Sequence, residues 1–269
     1  MKQCLIFGAL FICTPMIAFI SPAKTLDFET DMRIGQATQP YFLEDAGRIN
    51  RKLKSLSRKK LAELQSISTQ LASLNYKRNQ EWEHDHEQDT RQAALCFKGD
   101  VYLGMQAENW STEDMDYASE HLRILSGLYG ILRPSDLIRA YRLEMGTSLP
   151  VGRRKDLYHF WSNRLNKYFS EQIASNTLLL NLASNEYFKA VKNAGVPNPV
   201  LDVEFKDYSN GSFKAISFFA KKARGMMASF MVTNRINNPE ELKAFNLESY
   251  YYDDKSSSAD KFVFLRDRR

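Results

Sequence analysis

The fold is decided near the start of the chain by the stretch MIAFISPAKTLD, residues 16–27. Its first five residues, Met16 to Ile20, are apolar and predict a buried strand that ends in a polar turn containing a proline. The turn carries two hydroxyls, one ammonium and one carboxylate within seven residues, at Ser21, Thr25, Lys24 and Asp27. Because α/β folds place working side chains at strand ends, this turn is a candidate site. The alternative is a rigid polar turn without a function.

Helices and strands are mixed along the remainder of the chain. Apolar side chains at spacings of three and four predict helices, Leu-rich runs predict buried strands, and Asn-Gly predicts a hairpin turn. The predicted elements are a helical sub-region at 40–90, a strand–turn–strand at 93–105, a helix at 162–174, a strand at 177–183, a hairpin at 200–219 around Asn210-Gly211, a basic helix at 220–234 and a strand at 261–265. This mixture predicts an α+β fold in a single compact domain.

Two glycines bracket a short turn in the sequence LSGLYGILRP, residues 125–134. The pattern predicts a helix ending at Ser126-Gly127, a hairpin closed by Gly130, and a second helix that starts at Pro134. Exposed N–H groups of such a helix-hairpin-helix-like element, together with Arg133, suit a DNA phosphate. The glycines are separated by two residues where the known motif has one, so a plain turn between two helices is the alternative.

The chain has 269 residues, of which 43% are hydrophobic and 26% charged, and its formal charge is +5. These values are typical of a soluble globular protein and do not by themselves indicate nucleic-acid binding. Residues 1–20 have the charge and apolar run of a signal peptide, but a strand that begins at Met16 leads directly into the candidate turn. We therefore predict that residues 1–15 are an upstream extension outside the fold and that 16–269 form one domain.

The cysteine content favours a reducing compartment. Cys4 and Cys13 lie in the predicted extension at 1–15, so Cys96 has no partner for an internal disulfide within the predicted domain, and we expect a cytoplasmic protein. Cys96 lies in an apolar run, which favours a buried inert thiol over a peroxide sensor. The run His84-Asp85-His86 is flanked by carboxylates, but it is unpatterned and reads as a surface loop, not a metal site. We expect no metal and no cofactor.

Charged and polar side chains recur beside the predicted turns and helix ends. If they converge, they form a cleft with acid, base and anion-binding groups; if they do not, they are ordinary surface ion pairs. The polar candidates are Ser21, Asp27, Lys98, Asp100, Glu144, Ser184, Glu186 and Lys189. The DNA- or anion-binding candidates are Lys24, Gly127, Gly130, Arg133, Arg142, Lys155, Lys221, Lys222 and Arg224.

Several long strings resemble the YaaA peroxide-stress family, from about Met16 to the C-terminus. Besides SPAKTLD, they are SGLYGILRPSDL at 126–137, AYRLEMG at 140–146, KDLYHFW at 155–161, NLASNEYFKAVK at 181–192 and FFAKKARGMM at 218–227. The resemblance implies protection against hydrogen peroxide, linked to limiting free intracellular iron. It also favours DNA over a plain turn as the interpretation of the glycine hairpin.

Two functions from different classes remain open. The first is a cytosolic stress protein that binds duplex or distorted DNA through a basic cleft with low sequence specificity, with no membrane and no identified protein partner. The second is an enzyme acting on a phosphate- or nucleotide-like anion in a mixed-charge cleft. No phosphate-binding loop, nucleophile elbow, zinc motif or dinucleotide fingerprint is present to decide whether the chain is an enzyme. A broad basic groove would favour the first function, and a narrow mixed-charge pocket the second.

Overall fold

A computed structural model describes residues 15–84 and 89–267. The predicted extension at 1–15 lies, apart from Pro15, outside these described residues. The strands in chain order are β1 (Met16–Ile20), β2 (Thr25–Leu26), β3 (Arg91–Gln92), β4 (Phe97–Lys98), β5 (Leu122–Ser126), β6 (Gly130–Leu132), β7 (Leu137–Ile138), β8 (Leu178–Asn181), β9 (Val200–Ser209), β10 (Ser212–Lys214), β11 (Tyr251–Tyr252) and β12 (Lys261–Arg266).

Helices connect these strands. They are α1 (Leu43–Lys54), α2 (Arg58–Gln65), α3 (Thr69–Glu81), α4 (Ala93–Cys96), α5 (Asp100–Met105), α6 (Thr112–His121), α7 (Leu157–Gln172), α8 (Asn185–Ala194) and α9 (Ser217–Thr233), with 3₁₀ turns at Ala107–Asn109, Pro239–Ala244, Leu247–Ser249 and Asp254–Ser256. The predicted mixture of helices and strands is confirmed, as is the helical sub-region, which α1, α2 and α3 form. Among the described residues, no helix combines the length and the apolar composition that crossing a bilayer requires.

The main sheet has the strand order β11-β12-β9-β8-β1-β5-β6, with β10 also paired to β9. Neighbours among β12, β9, β8, β1 and β5 are parallel, whereas β11, β10 and β6 pair antiparallel to their neighbours. Numbered along the chain, the five parallel strands stand in the order 2-1-3-4-5, a doubly wound arrangement. Its topological switch point lies between β1 and β8, and in such sheets ligands bind beyond the carboxyl ends of the strands there.

The strand β1 lies inside the sheet between β8 and β5, and every one of its residues is apolar and buried. Phe19 packs against Phe169 of α7 and Phe188 of α8, with ring centroids 5.9 and 6.0 Å apart, and α6 and α9 also contact the strand. A strand covered in this way reads as a continuous apolar run, which is what residues 16–20 show. The core therefore fixes where the polar turn at Ser21 begins.

Three predicted elements are wrong. The helix expected to end at Ser126-Gly127 stops at His121, and residues 122–126 form β5, which pairs with β1 and with β6. The element around Gly127 and Gly130 is therefore a β-hairpin and not a helix-hairpin-helix. No helix follows Pro134, and the segment 93–105 is largely helical. Short apolar runs suit a buried strand and a buried helix equally well, so periodicity alone could not separate them.

Candidate functional site

The turn after β1 is joined to the turn after β8 at the switch point. The backbone N–H of Ser184 donates to Oγ of Ser21 at 2.9 Å, and the two hydroxyl oxygens are 3.3 Å apart. The buried hydroxyl of Tyr102 donates to the carbonyl of Ser21 at 3.1 Å, and burial raises its pKa, so it remains a neutral donor. Two residues 163 positions apart in the chain thus form one polar floor at the carboxyl edge of the sheet.

Beside this floor, Glu144 holds two cations. Its Oε2 is 3.0 Å from Nζ of Lys24, and its Oε1 is 3.1 Å from a terminal nitrogen of Arg142. The guanidinium of Arg142 is 15% exposed, whereas the side chain of Lys24 is 62% exposed. The less exposed cation, Arg142, therefore compensates the carboxylate, and Lys24 presents its charge to solvent.

Asp27 repeats this arrangement. Its Oδ1 is 3.3 Å from a terminal nitrogen of Arg91, which is 8% exposed, and its Oδ2 is 3.7 Å from Nζ of Lys98, which is 44% exposed. The backbone N–H groups of Glu29 and Thr30 and the hydroxyl of Thr30 donate to the same carboxylate at 2.8–3.0 Å. The backbone and side-chain hydrogen bonds from Thr30, more than Arg91, lower the pKa of Asp27 to about 2, so it is ionised at neutral pH.

Two further predicted residues meet at the start of α8. Oε1 of Glu186 accepts the backbone N–H of Gly146 at 2.9 Å, and the carbonyl of Glu186 accepts the hydroxyl of Tyr158 at 2.9 Å. Nζ of Lys189 lies 4.8 Å from the ring centroid of Tyr158, a cation–π distance. Lys155 is exposed in the turn before α7, three residues from Tyr158. These contacts bring α8 and the beginning of α7 to the same edge as Ser21.

The predicted cations of α9 lie along the continuation of this edge. Nζ of Lys221 is 3.8 Å from Oδ2 of Asp100, and a Cβ on the adjacent Gly99 would lie 3.1 Å from Cβ of Ala23. Lys222 donates to Glu248, whose other oxygen is 3.0 Å from Arg266.

Arg224 is a different case from its neighbours on α9. Its side chain is partly buried, its Nε has no hydrogen-bond partner among residues 15–84 and 89–267, and burial lowers its pKa.

The glycine hairpin is buried and does not present N–H groups to a ligand. Residues 127–130 are all buried, and Nε1 of Trp161 donates to the carbonyl of Gly127 at 3.0 Å. β6 is the outermost strand beside β5, and its last residue, Leu132, pairs with Ile124, so the exposed Arg133 follows at the lateral end of the sheet, two strands away from β1. The expectation that Lys24, Arg133, Arg142, Lys222 and Arg224 line one cleft stays a prediction.

Cys96 is fully buried, and burial raises its pKa to about 12. The thiolate is the reactive form, so this thiol is inert at physiological pH and the sensor alternative loses its chemical basis. Of the histidine run, His84 places Nε2 2.9 Å from Oε1 of Glu44, and residues 85–88 lie outside the described residues. Within the described ranges, no group of three or more His, Cys, Asp or Glu side chains is arranged to hold a metal ion.

Two cavities flank the segment that follows the turn, and their cations include arginines that the sequence analysis missed. The larger, about 1100 Å³, is lined by Arg33, Arg78, Arg91 and Arg139, and the smaller, about 620 Å³, by Lys77, Arg78 and Lys98. A signal for Arg78 was present, since it follows Leu71 and Leu74 at helical spacing and so extends an apolar stripe with a charge. Arg91 similarly stands two residues before a buried apolar run.

One comparison with known proteins bears on this site. The family model described as peroxide stress protein YaaA matches residues 16–256. This range includes the polar floor of Ser21 and Ser184, the two carboxylate centres formed around Glu144 and Asp27, and the residues that line both cavities.

Proposed function

The chain belongs to the peroxide stress protein YaaA family, and from that premise we propose that it binds DNA with low sequence specificity through the lysines of the carboxyl edge. Bound DNA would be shielded at its backbone from the radicals that peroxide forms with free iron. The glycine hairpin is no longer the proposed DNA contact. The proposed contact surface consists of five lysines, which we call the edge lysines: Lys24, Lys98, Lys155, Lys189 and Lys221.

The observation that carries the proposal is the shared plan of the two carboxylate centres. Glu144 and Asp27 each bind one arginine of low exposure, 15% for Arg142 and 8% for Arg91, and one more exposed lysine. Each centre has two cations for one carboxylate and therefore a net charge of about +1, and the more exposed cation is the lysine in both. Burying the compensating arginine leaves the lysine available to a phosphate, which can displace the carboxylate oxygen as its partner.

Lysine suits this role because its ammonium is a point charge on a flexible stem and does not require one base geometry. Contacts to phosphates fix position without reading sequence. Each phosphate that is neutralised releases counterions, so the affinity should fall steeply with salt. Low sequence specificity and strong salt dependence are thus two consequences of the same surface.

The test is a double variant, K24Q/K98Q, measured by fluorescence anisotropy on two unrelated duplexes over a salt series. We expect affinity for both duplexes to weaken roughly tenfold or more and the slope of log K against log salt to flatten by about 1.8, because two phosphate contacts are lost. K167Q is the matched control, since Lys167 is 73% exposed and also pairs with a glutamate, Glu171, at 3.7 Å on α7.

Unchanged affinity and slope in a folded double variant would overturn the proposal, as would an equal loss in the Lys167 control. A loss on one duplex only would show sequence reading and would contradict the low specificity.

A second candidate function rests on the switch point. The 10-residue helix α8 begins there, and the hydroxyl of its N-cap residue Ser184 makes no capping hydrogen bond. An anion at this helix start would lie beside the Ser21 hydroxyl, which suits an enzyme acting on a phosphate- or nucleotide-like substrate. Incubation with a panel of nucleotides, followed by ³¹P NMR, tests this: turnover that S21A abolishes would support it, and intact substrates would exclude it for that panel.

A further inference from the structure

Arg78 on α3 is a partly buried cation without a counter-charge. No carboxylate of the described ranges 15–84 and 89–267 lies within 4.0 Å of its guanidinium, and its one hydrogen bond is a long one, 3.4 Å to Oδ1 of Asn75. Three other arginines with little exposure differ: Arg91 and Arg142 pair with carboxylates, and Arg123 donates to three neutral oxygens at 2.8–2.9 Å. Arg224 resembles Arg78 in being partly buried, but it does not line either cavity. A guanidinium has five donors, so most of the N–H groups of Arg78 make no hydrogen bond to the described residues and are open to a ligand.

The surroundings of Arg78 destabilise its charged form and so favour the binding of an anion. Burial lowers its pKa, and the nearby charge of Arg142 lowers it further, so the charged form is held at a cost that a bound anion would relieve. The Nε of Arg142 is itself buried and has no hydrogen-bond partner in the part of the chain that the structure describes. Two guanidinium groups at one place thus retain unused donors.

Arg78 lies on the wall common to the two cavities, and the smaller one has the composition of a ligand site. Its volume of about 620 Å³ lies within the range of small-molecule sites, and it is far too small for a turn of duplex. Phe28 and Leu74 supply apolar surface, while Arg78 and Lys98 supply positive charge. An apolar side next to a cationic side fits a base and its phosphate.

The carboxylates of the same wall limit how much negative charge the cavity accepts. Asp27 and Glu81 are engaged, with Lys98 at 3.7 Å and Lys77 at 3.6 Å respectively, but Glu29 remains beside them. They disfavour a polyphosphate more than a single phosphate. The planar fork of Arg78 suits a phosphate with two free oxygens, which a phosphomonoester has.

We propose that the cavity between α3 and the segment Thr25–Thr30 binds a nucleoside 5′-monophosphate group, with the phosphate on Arg78 and the base against Phe28. The group has two sources, a free nucleotide or the 5′-phosphate end of a DNA strand. This inference does not depend on duplex binding by the edge lysines.

Calorimetric titration of the full chain with a deoxynucleoside 5′-monophosphate, and with the matching nucleoside, tests the site. We expect the monophosphate to bind at least tenfold more tightly than the nucleoside, and R78Q to reduce its affinity at least tenfold. R78K, which keeps the charge and loses the fork, should give an intermediate affinity. R51Q on the exposed surface of α1 is the control and should bind as the parent does.

The thermal stability of the unliganded variants separates a ligand site from a structural role. Removing an uncompensated charge should leave the melting temperature of R78Q unchanged or raised, whereas a structural arginine would lower it. If the parent chain fails to bind the monophosphate, or if R78Q binds it equally well, the inference is overturned.

Oligonucleotides of one sequence, with a 5′-phosphate or a 5′-hydroxyl, identify the source. A preference for the phosphorylated strand that R78Q abolishes assigns the site to DNA ends; equal binding of both strands, with the nucleotide still bound, assigns it to free nucleotides. Because Lys98 lines this cavity too, K24Q distinguishes the two proposals: it should weaken duplex binding and leave nucleotide binding intact.

Discussion

The turn after β1 and the hairpin after β5 leave neighbouring parallel strands at the same edge of the sheet, yet only the first is open to a ligand. Lys24 in the first turn has a 62% exposed side chain, while residues 127–130 of the hairpin are buried. The difference lies in what covers each turn. A Cβ on Gly127 would lie 2.5 Å from the carbonyl oxygen of Leu143, because the segment after β7 passes directly over the hairpin. Strand ends mark where a site can form, and the covering segment decides whether it does.

Two aspartates, one in the open turn and one beyond the buried hairpin, have pKa values shifted in opposite directions. Asp27 in the open turn has a pKa lowered to about 2, chiefly by hydrogen bonds from Thr30. Asp136, four residues beyond β6, is 2% exposed, and burial raises its pKa to about 6 in spite of hydrogen bonds from Thr38 and from the backbone N–H of Arg133. One carboxylate is stabilised in its charged form and the other in its neutral form, so their pH dependences have opposite signs.

The largest expected effect is that of G130V on stability. Gly130 has φ of +70°, and a Cβ there would lie 2.7–3.0 Å from ring atoms of Trp161, so strain and overpacking add to about 3–5 kcal/mol. The free energy of unfolding, measured in urea, checks this. G211V is the matched control. Gly211 has φ of +82°, and a Cβ there would meet no atom of the described residues within 4 Å, so the substitution should cost only the backbone strain, about 1–2 kcal/mol. Equal losses would show that the hairpin is not closely packed.

The second-largest expected effect is that of Asp136 on the pH dependence of stability. Because its folded pKa lies above the unfolded value, the folded state binds more protons between these two values, and stability falls as pH rises from about 4 to about 6. The loss should approach about 3 kcal/mol, since each pKa unit corresponds to about 1.4 kcal/mol. Urea unfolding at pH 4 and pH 7 measures it, and D136N should remove most of the difference. A parent chain that is equally stable at both values would contradict the burial argument.

Asp27 should give a smaller effect of the opposite sign. Its depressed pKa stabilises the fold above about pH 4, and this contribution is lost as pH falls towards 2. D27N should cost about 1–2 kcal/mol at pH 7, where charged hydrogen bonds are lost, and should flatten the unfolding profile between pH 4 and 2. Thermal unfolding over that range is the measurement, and an unaltered acid limb would show that the turn contributes nothing.

The smallest expected effect is that of R133A. Arg133 is exposed beside the outermost strand β6 and is not one of the edge lysines, so its loss should leave duplex affinity and the salt slope within error of the parent chain and change stability by no more than about 0.5 kcal/mol. K24Q, measured beside it, should weaken binding and flatten the slope by about 0.9. If R133A weakened binding and flattened the slope while K24Q did not, the surface around Arg133 would be the DNA surface.

The sequence by itself determined the features that depend on neighbouring residues. The apolar run Met16–Ile20 predicted a core strand, Asn210-Gly211 predicted the β9–β10 hairpin, and the spacings between 40 and 90 predicted helices, all of which the structure confirms. The polar turn was also identifiable, because hydroxyl and charged side chains directly after a buried strand must lie at the edge of the sheet.

Only the tertiary structure decided which residues share the site. The local pattern around Gly127 suited a tight turn in both its interpretations, but Trp161 and Leu143, distant in sequence, bury it. Conversely, Arg78 and Arg91 showed no site motif, and they reach the cavities because α3 and β3 pack beside the first turn. Burial and counter-charge are properties of what surrounds a side chain, and residues far away in sequence supply that surrounding.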